Sequence, residues 1–502
     1  MSTAPDEVLA PTHTAEPDAE GEPPVPYTRF EEIMGHPPGL YILFFTEMWE
    51  RFSFYGMRGL LKAYMMYYLF VEARQTLYVE DGVDAKVPMA VGRPFEVLGW
   101  PTLHKIILWV DPGMDLQGQA SLVYGLYNGL VYFTPIFGGY LADKYFGQRK
   151  IVVAGALIMA LGQFMLAADN LFFIALLVLI LGNGAFKPNI STQVGNLYRP
   201  EDPRRDRAYS IFYVGINLGS FLCNFVCATL AAVYGWHYGF GAAGVGLLAG
   251  LVAYVAGQRF LAPDNRMRTD EATASREGAP AEKKTPLTRQ EKLVIGSLVA
   301  LCALNVPFWA VYEQQGNTMQ TWADKQTIWP SFGSFHVPPA WFQSFNPFMI
   351  MLLTPFTNLL WSWQQRRGKE PSTVSKMAIG SFILGSSFII MVIGARIIGD
   401  GKGSVLWPFM ATLVLTVGEL YLSPIGLSLV TKASPRRMVS LMMGVWFVSS
   451  FLGGLLSGVL GVFYTKLGQE NFFWMLTAIG LLTGVAMWAF NKPLRKALGA
   501  NA

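Results

Sequence analysis

Glu47-Met48-Trp49-Glu50-Arg51-Phe52-Ser53-Phe54-Tyr55-Gly56-Met57-Arg58, continued to Lys62, decides how this chain must be read. It sets five charged groups in a run, from about Leu40 to Phe70, that is otherwise as apolar as a membrane-spanning helix. On a helix, Glu47 and Arg51, Arg51 and Tyr55, and Arg58 and Lys62 stand one turn apart, and Arg51 and Arg58 two turns. Glu47, Glu50, Arg51, Tyr55, Arg58 and Lys62 therefore read as one polar stripe on a helix whose other faces are Leu, Ile, Phe and Met. A single charge at the bilayer centre costs about 2.5–3.5 kcal/mol on the insertion scale. Five of them facing lipid would block insertion, so the stripe must face other helices or water. A charge-rich helix on a soluble surface is disfavoured, because further apolar runs of spanning length follow.

Composition agrees. Of 502 residues, 52% are hydrophobic and 14% charged, and the mean hydropathy is +0.34, outside the range of soluble chains. Fourteen Trp, 35 Phe and 21 Tyr suit interfacial anchors and a lined cavity. Cys223, Cys227 and Cys302 lie in apolar segments without ligand-like spacing to a His, and read as buried thiols. A net charge of +4 says little about partners. No part of the chain reads as a nucleic-acid site.

In chain order, residues 1–38 are acidic and Pro-rich and read as a disordered tail, not a signal peptide. Residues 71–117 read as a long loop lying partly along the membrane surface, because Ile106–Val110 is too short to span. Spans are predicted near 39–70, 119–142, 151–168, 170–197, 208–232 and 238–258. A polar linker, 259–291, carries Pro263, Pro280 and Pro286. A second set follows near 293–317, 346–364, 374–396, 405–430, 440–464 and 472–491, and residues 492–502 form a tail. The expected architecture is all-α and integral to the membrane, with twelve transmembrane helices in two six-helix halves, 39–258 and 292–491.

Basic residues orient it. The gaps after odd-numbered spans hold only Arg74, Lys86, Arg93, Lys105, Lys325, Arg396, Lys402 and Lys466. The tails, the linker and the other gaps hold most of the rest, which places both termini on the cytoplasmic side. Arg51, Arg58, Lys62 and Lys187 remain inside the membrane, with Glu47, Glu50, Glu313 and Glu419 as their counter-charges.

Two halves joined by a polar linker match transporters that rock about a midplane site. The loop Gly138-Gly139-Tyr140-Leu141-Ala142-Asp143-Lys144-Tyr145-Phe146-Gly147-Gln148-Arg149-Lys150 resembles the signature of the major facilitator superfamily. There the glycines allow close helix approach, and the acidic and basic residues latch the cytoplasmic side.

Further polar groups interrupt the spans. Gly182-Asn183-Gly184-Ala185-Phe186-Lys187-Pro188-Asn189 sets a lysine beside a proline that kinks the helix and frees a carbonyl. It is not a phosphate loop, since no strand precedes it and no Gly-Lys-Ser/Thr is present. Tyr213 and Asn217 are one turn apart, as are Trp309 and Glu313, while Glu419 stands one turn before Ser423-Pro424. Asn217 and Asn346 taken alone read as helix–helix hydrogen bonds. The buried charges instead mark an ion or substrate path.

Taken together, Glu47-x-x-Glu50-Arg51-Phe52 with Tyr55-Gly56, Lys187-Pro188-Asn189, Phe212-Tyr213-x-x-Ile216-Asn217 and Phe308-Trp309-x-x-Tyr312-Glu313-Gln314 resemble the proton-dependent oligopeptide transporter family. The resemblance implies symport of di- and tripeptides with protons in a bacterial inner membrane, by a chain that works as a monomer in lipid without a cofactor. It implies that Arg58 and Lys187 meet the peptide carboxylate and that Glu419, helped by Asn346, meets the amino end. Asn217 would bind peptide backbone, with Tyr55, Tyr132, Trp309, Trp446 and Ser450 lining the pocket. Arg58–Glu313 and Lys187–Glu419 would be ion pairs that open and close in turn, and Glu47, Glu50 and Glu313, with Arg51, would carry the proton. The physics fits, because burial disfavours a charged carboxylate and a nearby cation favours it, so a moving cation makes a proton switch.

Two departures from the family pattern stand out. Phe54 replaces a tyrosine, which predicts one pocket hydroxyl fewer. None of His13, His36, His104, His237 and His336 falls deep in a span, so coupling must rest on carboxylates. The alternative within the superfamily is proton-coupled transport of nitrate, another small anion or another small solute, which would not need Glu47, Glu50 and Glu419 together. An enzyme is disfavoured for want of a nucleophile–base or metal cluster in the spans.

Overall fold

The computed structural model describes residues 34–71, 96–199, 202, 204–262, 287–435 and 438–498. The first 33 residues of the expected tail, 72–95 of the long loop, 263–286 of the linker and the last four residues lie outside the described residues.

The first helix, α1 (Pro38–Tyr64), starts at a proline, whose missing amide costs nothing in a first turn, and runs on into a π-helical turn at Met65–Leu69. Helix α2 (Trp100–Val110) is short, stands outside the bundle and begins after Gly99, which adopts a φ of 88°. Helix α3 (Leu116–Phe133) is capped by Asp115, which accepts from the Gly118 amide at 2.9 Å. At Thr134 the chain breaks step, and α4 (Pro135–Leu141) restarts at Pro135. Helices α5 (Gln148–Met165), α6 (Phe172–Asn196), α7 (Arg204–Tyr234) and α8 (Trp236–Gly257) complete the first half.

The second half opens with α9 (Arg289–Tyr312), fixed by a capping box between Thr288 and Glu291. A 3-10 turn at Glu313–Gln315 and α10 (Thr318–Lys325) carry it past the predicted end near residue 317. Between α10 and α11 (Phe345–Arg366), β1 (Thr327–Ile328) pairs in parallel with β4 (Gly403–Ser404), and β2 (Ser331–Phe332) forms a hairpin with β3 (Phe335–His336). Helices α12 (Thr373–Ile398), α13 (Leu406–Ala433), α14 (Val439–Leu467) and α15 (Gln469–Leu498) follow.

Among the described residues, twelve long helical stretches thus run back and forth in two sets of six. Eight are long and apolar enough to cross a membrane on composition alone. The stretch of α1 is excluded by its own charges, which are the feature that makes it informative. Each half has its own core, one drawn almost wholly from Leu40–Leu261 and the other from Val294–Met487. In the first half α1 packs on α7 and α8, and α5 on α6; in the second, α12 packs on α13 and α15.

The halves meet along α3 and α14. A Cβ on Gly125 would lie 2.5 Å from the Gly458 Cα, and one on Gly129 would lie 2.9 Å from the Phe451 carbonyl oxygen, so the backbones touch along a seam of glycines. Of the loop glycines, Gly138 shows the close approach that the resemblance implies, standing directly against the Gly184 carbonyl, the one that Pro188 leaves without an amide. From the same loop Arg149 donates to the Leu261 and Ala262 carbonyls, tying it to the end of α8.

Gly125→Val would force two backbones apart, an overpacking that costs about 1–3 kcal/mol. The expected result is a lower melting temperature in detergent, measured by intrinsic fluorescence, with Gly241→Ala as the control because a Cβ there meets nothing within 4 Å.

Candidate functional site

A cavity of about 310 Å³ lies between the halves. From the first half, α1 supplies Glu47, Arg51, Tyr55 and Arg58, α3 supplies Tyr132, α6 Lys187 and α7 Asn217. From the second, α9 and its following turn supply Trp309 and Glu313, α11 Asn346, α13 Glu419, and α14 Trp446 and Ser450. Of the residues the sequence singles out for a site, only Glu50 lies elsewhere.

The stripe on α1 is therefore split three ways. Glu47, Arg51, Tyr55 and Arg58 face the cavity. Glu50 turns into the first half, beside a space of about 10 Å³ that it lines with Ser53, Phe54, Tyr127, Gln163 and Asn183. Lys62 is buried between the halves. Phe54 also lines the inner space and not the cavity, which corrects the expectation that its missing hydroxyl is a loss to the pocket. Its ring instead lies 5.2 Å under the Arg51 guanidinium.

Arg51 is clamped by two carboxylates. Its Nε is 3.0 Å from Glu47 Oε1 and 2.5 Å from Glu50 Oε2. Glu50 also accepts a long hydrogen bond, 3.4 Å, from Asn183 Nδ2. The second Glu47 oxygen and Arg51 Nη2 are buried without a hydrogen-bond partner. Arg58 crosses to the other half, where Nη2 pairs with Glu313, and its Nε donates to the Tyr124 hydroxyl at 2.8 Å.

Among the described residues, the other two charges make no ion pair, though Tyr312 hydrogen-bonds Glu419. Lys187 Nζ sits 4.6 Å above the Tyr132 ring, and Glu419 accepts from Asn346 Nδ2 at 2.8 Å, with Thr416 Oγ1 3.0 Å from the same nitrogen. Asn217 bonds the Tyr213 carbonyl of its own helix at 2.9 Å. So Arg58–Glu313 is formed and Lys187–Glu419 is not. An unmatched cation on one wall and an unmatched carboxylate on the other make the cavity complementary to a zwitterion. Among the described residues, no three His, Cys, Asp or Glu side chains are grouped to hold a metal ion.

Several lining residues were missed. Tyr312, Ser191, Gln315, Gln343, Ile350, Leu427 and Phe447 also face the cavity, and Tyr124 holds Arg58 from beside it. Tyr312 was within reach, one residue before Glu313; the others carry no charge in an apolar setting and so no signal of their own.

Polar cross-half contacts gather on the side of the cavity away from the Pro38 start of α1. Besides Arg58–Glu313 they include Asn224 Nδ2 to Ser344 Oγ at 3.2 Å, the Trp341 indole to Thr229 Oγ1 at 3.2 Å and the Lys466–Asp111 ion pair. The hydrogen bond from Lys466 holds the Asp111 carboxyl below the usual carboxylate range.

Two helical halves around a buried, charged cavity define a membrane transporter of the major facilitator type, not an enzyme. The chain belongs to the POT family: the family model PTR2 matches residues 149–273 and 284–475. It is 29% identical to the di-/tripeptide transporter of Lactococcus lactis subsp. cremoris, covering 93% of this chain and 97% of that one. It is 31% identical to the peptide transporter YePEPT of Yersinia enterocolitica, over 86% and 88% of the two chains. A crystal structure of a peptide transporter POT in complex with alafosfalin superposes with a TM-score of 0.74 at 30% identity, covering 92% of this chain and 96% of that one.

Arg58→Met would leave Glu313 a buried carboxylate without its cation, and breaking one partner of a buried pair costs about 3–5 kcal/mol. Thermal unfolding in detergent should show a marked fall for Arg58→Met and recovery of much of it in Arg58→Met/Glu313→Gln.

Proposed function

We propose that this chain imports di- and tripeptides together with protons by alternating access. The observation that carries the reading is the pair of unmatched charges, Lys187 and Glu419, on opposite walls of a cavity of about 310 Å³. A peptide is a zwitterion with variable side chains. Its carboxylate goes to Lys187 and Arg58, and its ammonium to Glu419, which Asn346 orients. Asn217 takes a backbone group, while Tyr55, Tyr132, Trp309, Trp446 and Ser450 line the pocket around the side chains. The names of the Lactococcus and Yersinia relatives support the substrate class.

Protons travel on carboxylates. Glu47 and Glu50 share Arg51, so a shift of that guanidinium toward one leaves the other to take a proton. Glu313 does the same when the peptide carboxylate draws Arg58 away. Arg58–Glu313 closed with Lys187 and Glu419 apart is the arrangement of a transporter shut on the outside and open to the cytoplasm. In this reading both termini are cytoplasmic, in a bacterial inner membrane. The halves 39–258 and 292–491 rock about the cavity, with 1–38, 259–291 and 492–502 on the cytoplasmic face and 71–117 outside. A single chain in lipid, with no cofactor beyond the proton, suffices.

Uptake of labelled dialanine into proteoliposomes tests the reading. Wild type should accumulate peptide only with an inward-acid gradient. Glu50→Gln should lose accumulation yet keep peptide exchange without a gradient. Absence of peptide uptake by a well-folded wild type, with uptake of nitrate in its place, would overturn the substrate. Lys187→Gln removes one charged hydrogen-bond donor, worth about 1.5–3 kcal/mol. Calorimetric binding of dialanine should therefore weaken roughly 10- to 100-fold.

A further inference from the structure

Lys62 takes no part in the cavity, yet it is buried to 2% exposure one turn beyond Arg58. Its Nζ reaches across to the other half and donates to both oxygens of one residue, the Asn317 backbone carbonyl at 2.9 Å and the Asn317 Oδ1 at 2.6 Å. Asn317 is fully buried and stands one turn beyond Glu313. Arg58–Glu313 and Lys62–Asn317 are thus two successive rungs of one ladder between α1 and the segment that follows α9.

The second rung binds more than two elements. Ser121 Oγ on α3 donates to Asn317 Oδ1 at 2.8 Å, and Asn317 Nδ2 donates to the Ser457 carbonyl on α14 at 3.1 Å. Gly461 leaves room for the amide, since a Cβ there would lie 2.6 Å from Asn317 Nδ2. Both halves therefore converge on one side chain on the outer side.

The rungs differ in chemistry. Arg58–Glu313 has a titratable acceptor, and a proton on Glu313 removes the charge that holds it. Both acceptors of Lys62 are amide oxygens, which do not titrate. Either form of the amine has at least two N–H groups, so both bonds survive whether or not Nζ is charged. The ionisable groups around it, Asp324, Lys325 and Asp115, act on it through space; Asp324 itself accepts from Gln320 Nε2 at 2.8 Å. We propose that Lys62–Asn317 is a second outer latch that holds the outside closed independently of protonation, so that neutralising Glu313 does not by itself open the transporter. Lys62 is then a positioning residue, acting on the equilibrium between the two faces and not on the cargo.

The inference rests on the alternating-access reading, but its test needs neither peptide nor proton gradient, so the two can fail separately. Spin labels on Tyr234→Cys and Ile397→Cys report the outer side, because these residues end α7 and α12 in opposite halves and are 61% and 68% exposed. The three native cysteines are buried. In double electron–electron resonance, the labelled parent and its Glu313→Gln derivative should both give mainly the short, closed distance. Glu313→Gln/Lys62→Met should shift the population to a longer one, and Glu313→Gln/Lys62→Arg should not. Opening by Glu313→Gln alone to the extent of the double variant would overturn the proposal, as would a closed distance in the double. Should Lys62→Met fail to give a monodisperse protein, Asn317→Ser removes the Oδ1 rung and its ties to α3 and α14 from the other side, and the same two outcomes decide.

Discussion

Everything in this structure depends on the cost of holding ions away from water. Arg51 meets that cost with two carboxylates at bonding distance, and Arg58 with one from the opposite half. Neither solution is inert. A clamp of one cation between two acids has more acid than base, and a cross-half pair exists only while the halves are together. The same desolvation that forces these groups to pair also makes each pairing conditional on a proton or on a movement. Lys187 and Glu419 are the remainder, the one held by a ring face and the other by an amide and the Tyr312 hydroxyl, which satisfy geometry without cancelling charge.

The halves distribute these tasks unequally. The first half carries the cations and the Glu47–Arg51–Glu50 clamp, with a small space beside Glu50 that is separate from the cavity. The second half carries the carboxylates that face them across the cavity, Glu313 and Glu419, and the amide that anchors Lys62. Each half has its own core, apart from Ala340 and Trp341, which pack on the first from the second half, so movement between the halves leaves most of both cores intact. What changes on movement is the set of contacts at the interface, polar ones and the ring contacts Phe133–Phe451, Phe221–Phe348 and Phe225–Trp341 alike.

Apolar runs of spanning length made the helical class and the two sets of six legible, and charge within them made Glu47, Arg51, Arg58, Lys187, Glu313 and Glu419 legible as a buried path. Tyr132, Asn217, Asn346, Trp446 and Ser450 entered as cavity residues only through the family resemblance. The helix ends were legible within a few residues where a proline or a capping residue marks them, as at Pro38 and Thr288. The failures share one cause. A period of 3.6 residues puts Glu47, Glu50, Arg51 and Lys62 on one broad side, but a helix surrounded by others has several neighbours on that side, and only packing says which residue meets which. That is why Glu50 and Phe54 turn inward and Lys62 leaves the cavity. The break at Thr134 and the continuation to Lys325 are tertiary as well: Gly316-Asn317 does interrupt the helix, but the chain resumes at Thr318 and its course follows the burial of Met319, Trp322 and Ala323.

The seam of Gly125, Gly129, Gly454 and Gly458 has a mechanical meaning beyond close approach. Two helices joined by interlocking side chains must withdraw every knob from its hole before one can roll on the other. Where glycine faces glycine there is little to withdraw, although Leu455 over Gly129 and the Phe133–Phe451 ring pair still cross the seam. The glycine faces form a smooth bearing, along which a tilt of one half changes the line of contact without unpacking it. Beside that bearing, the polar rungs are the cross-half contacts that ions and cargo can address.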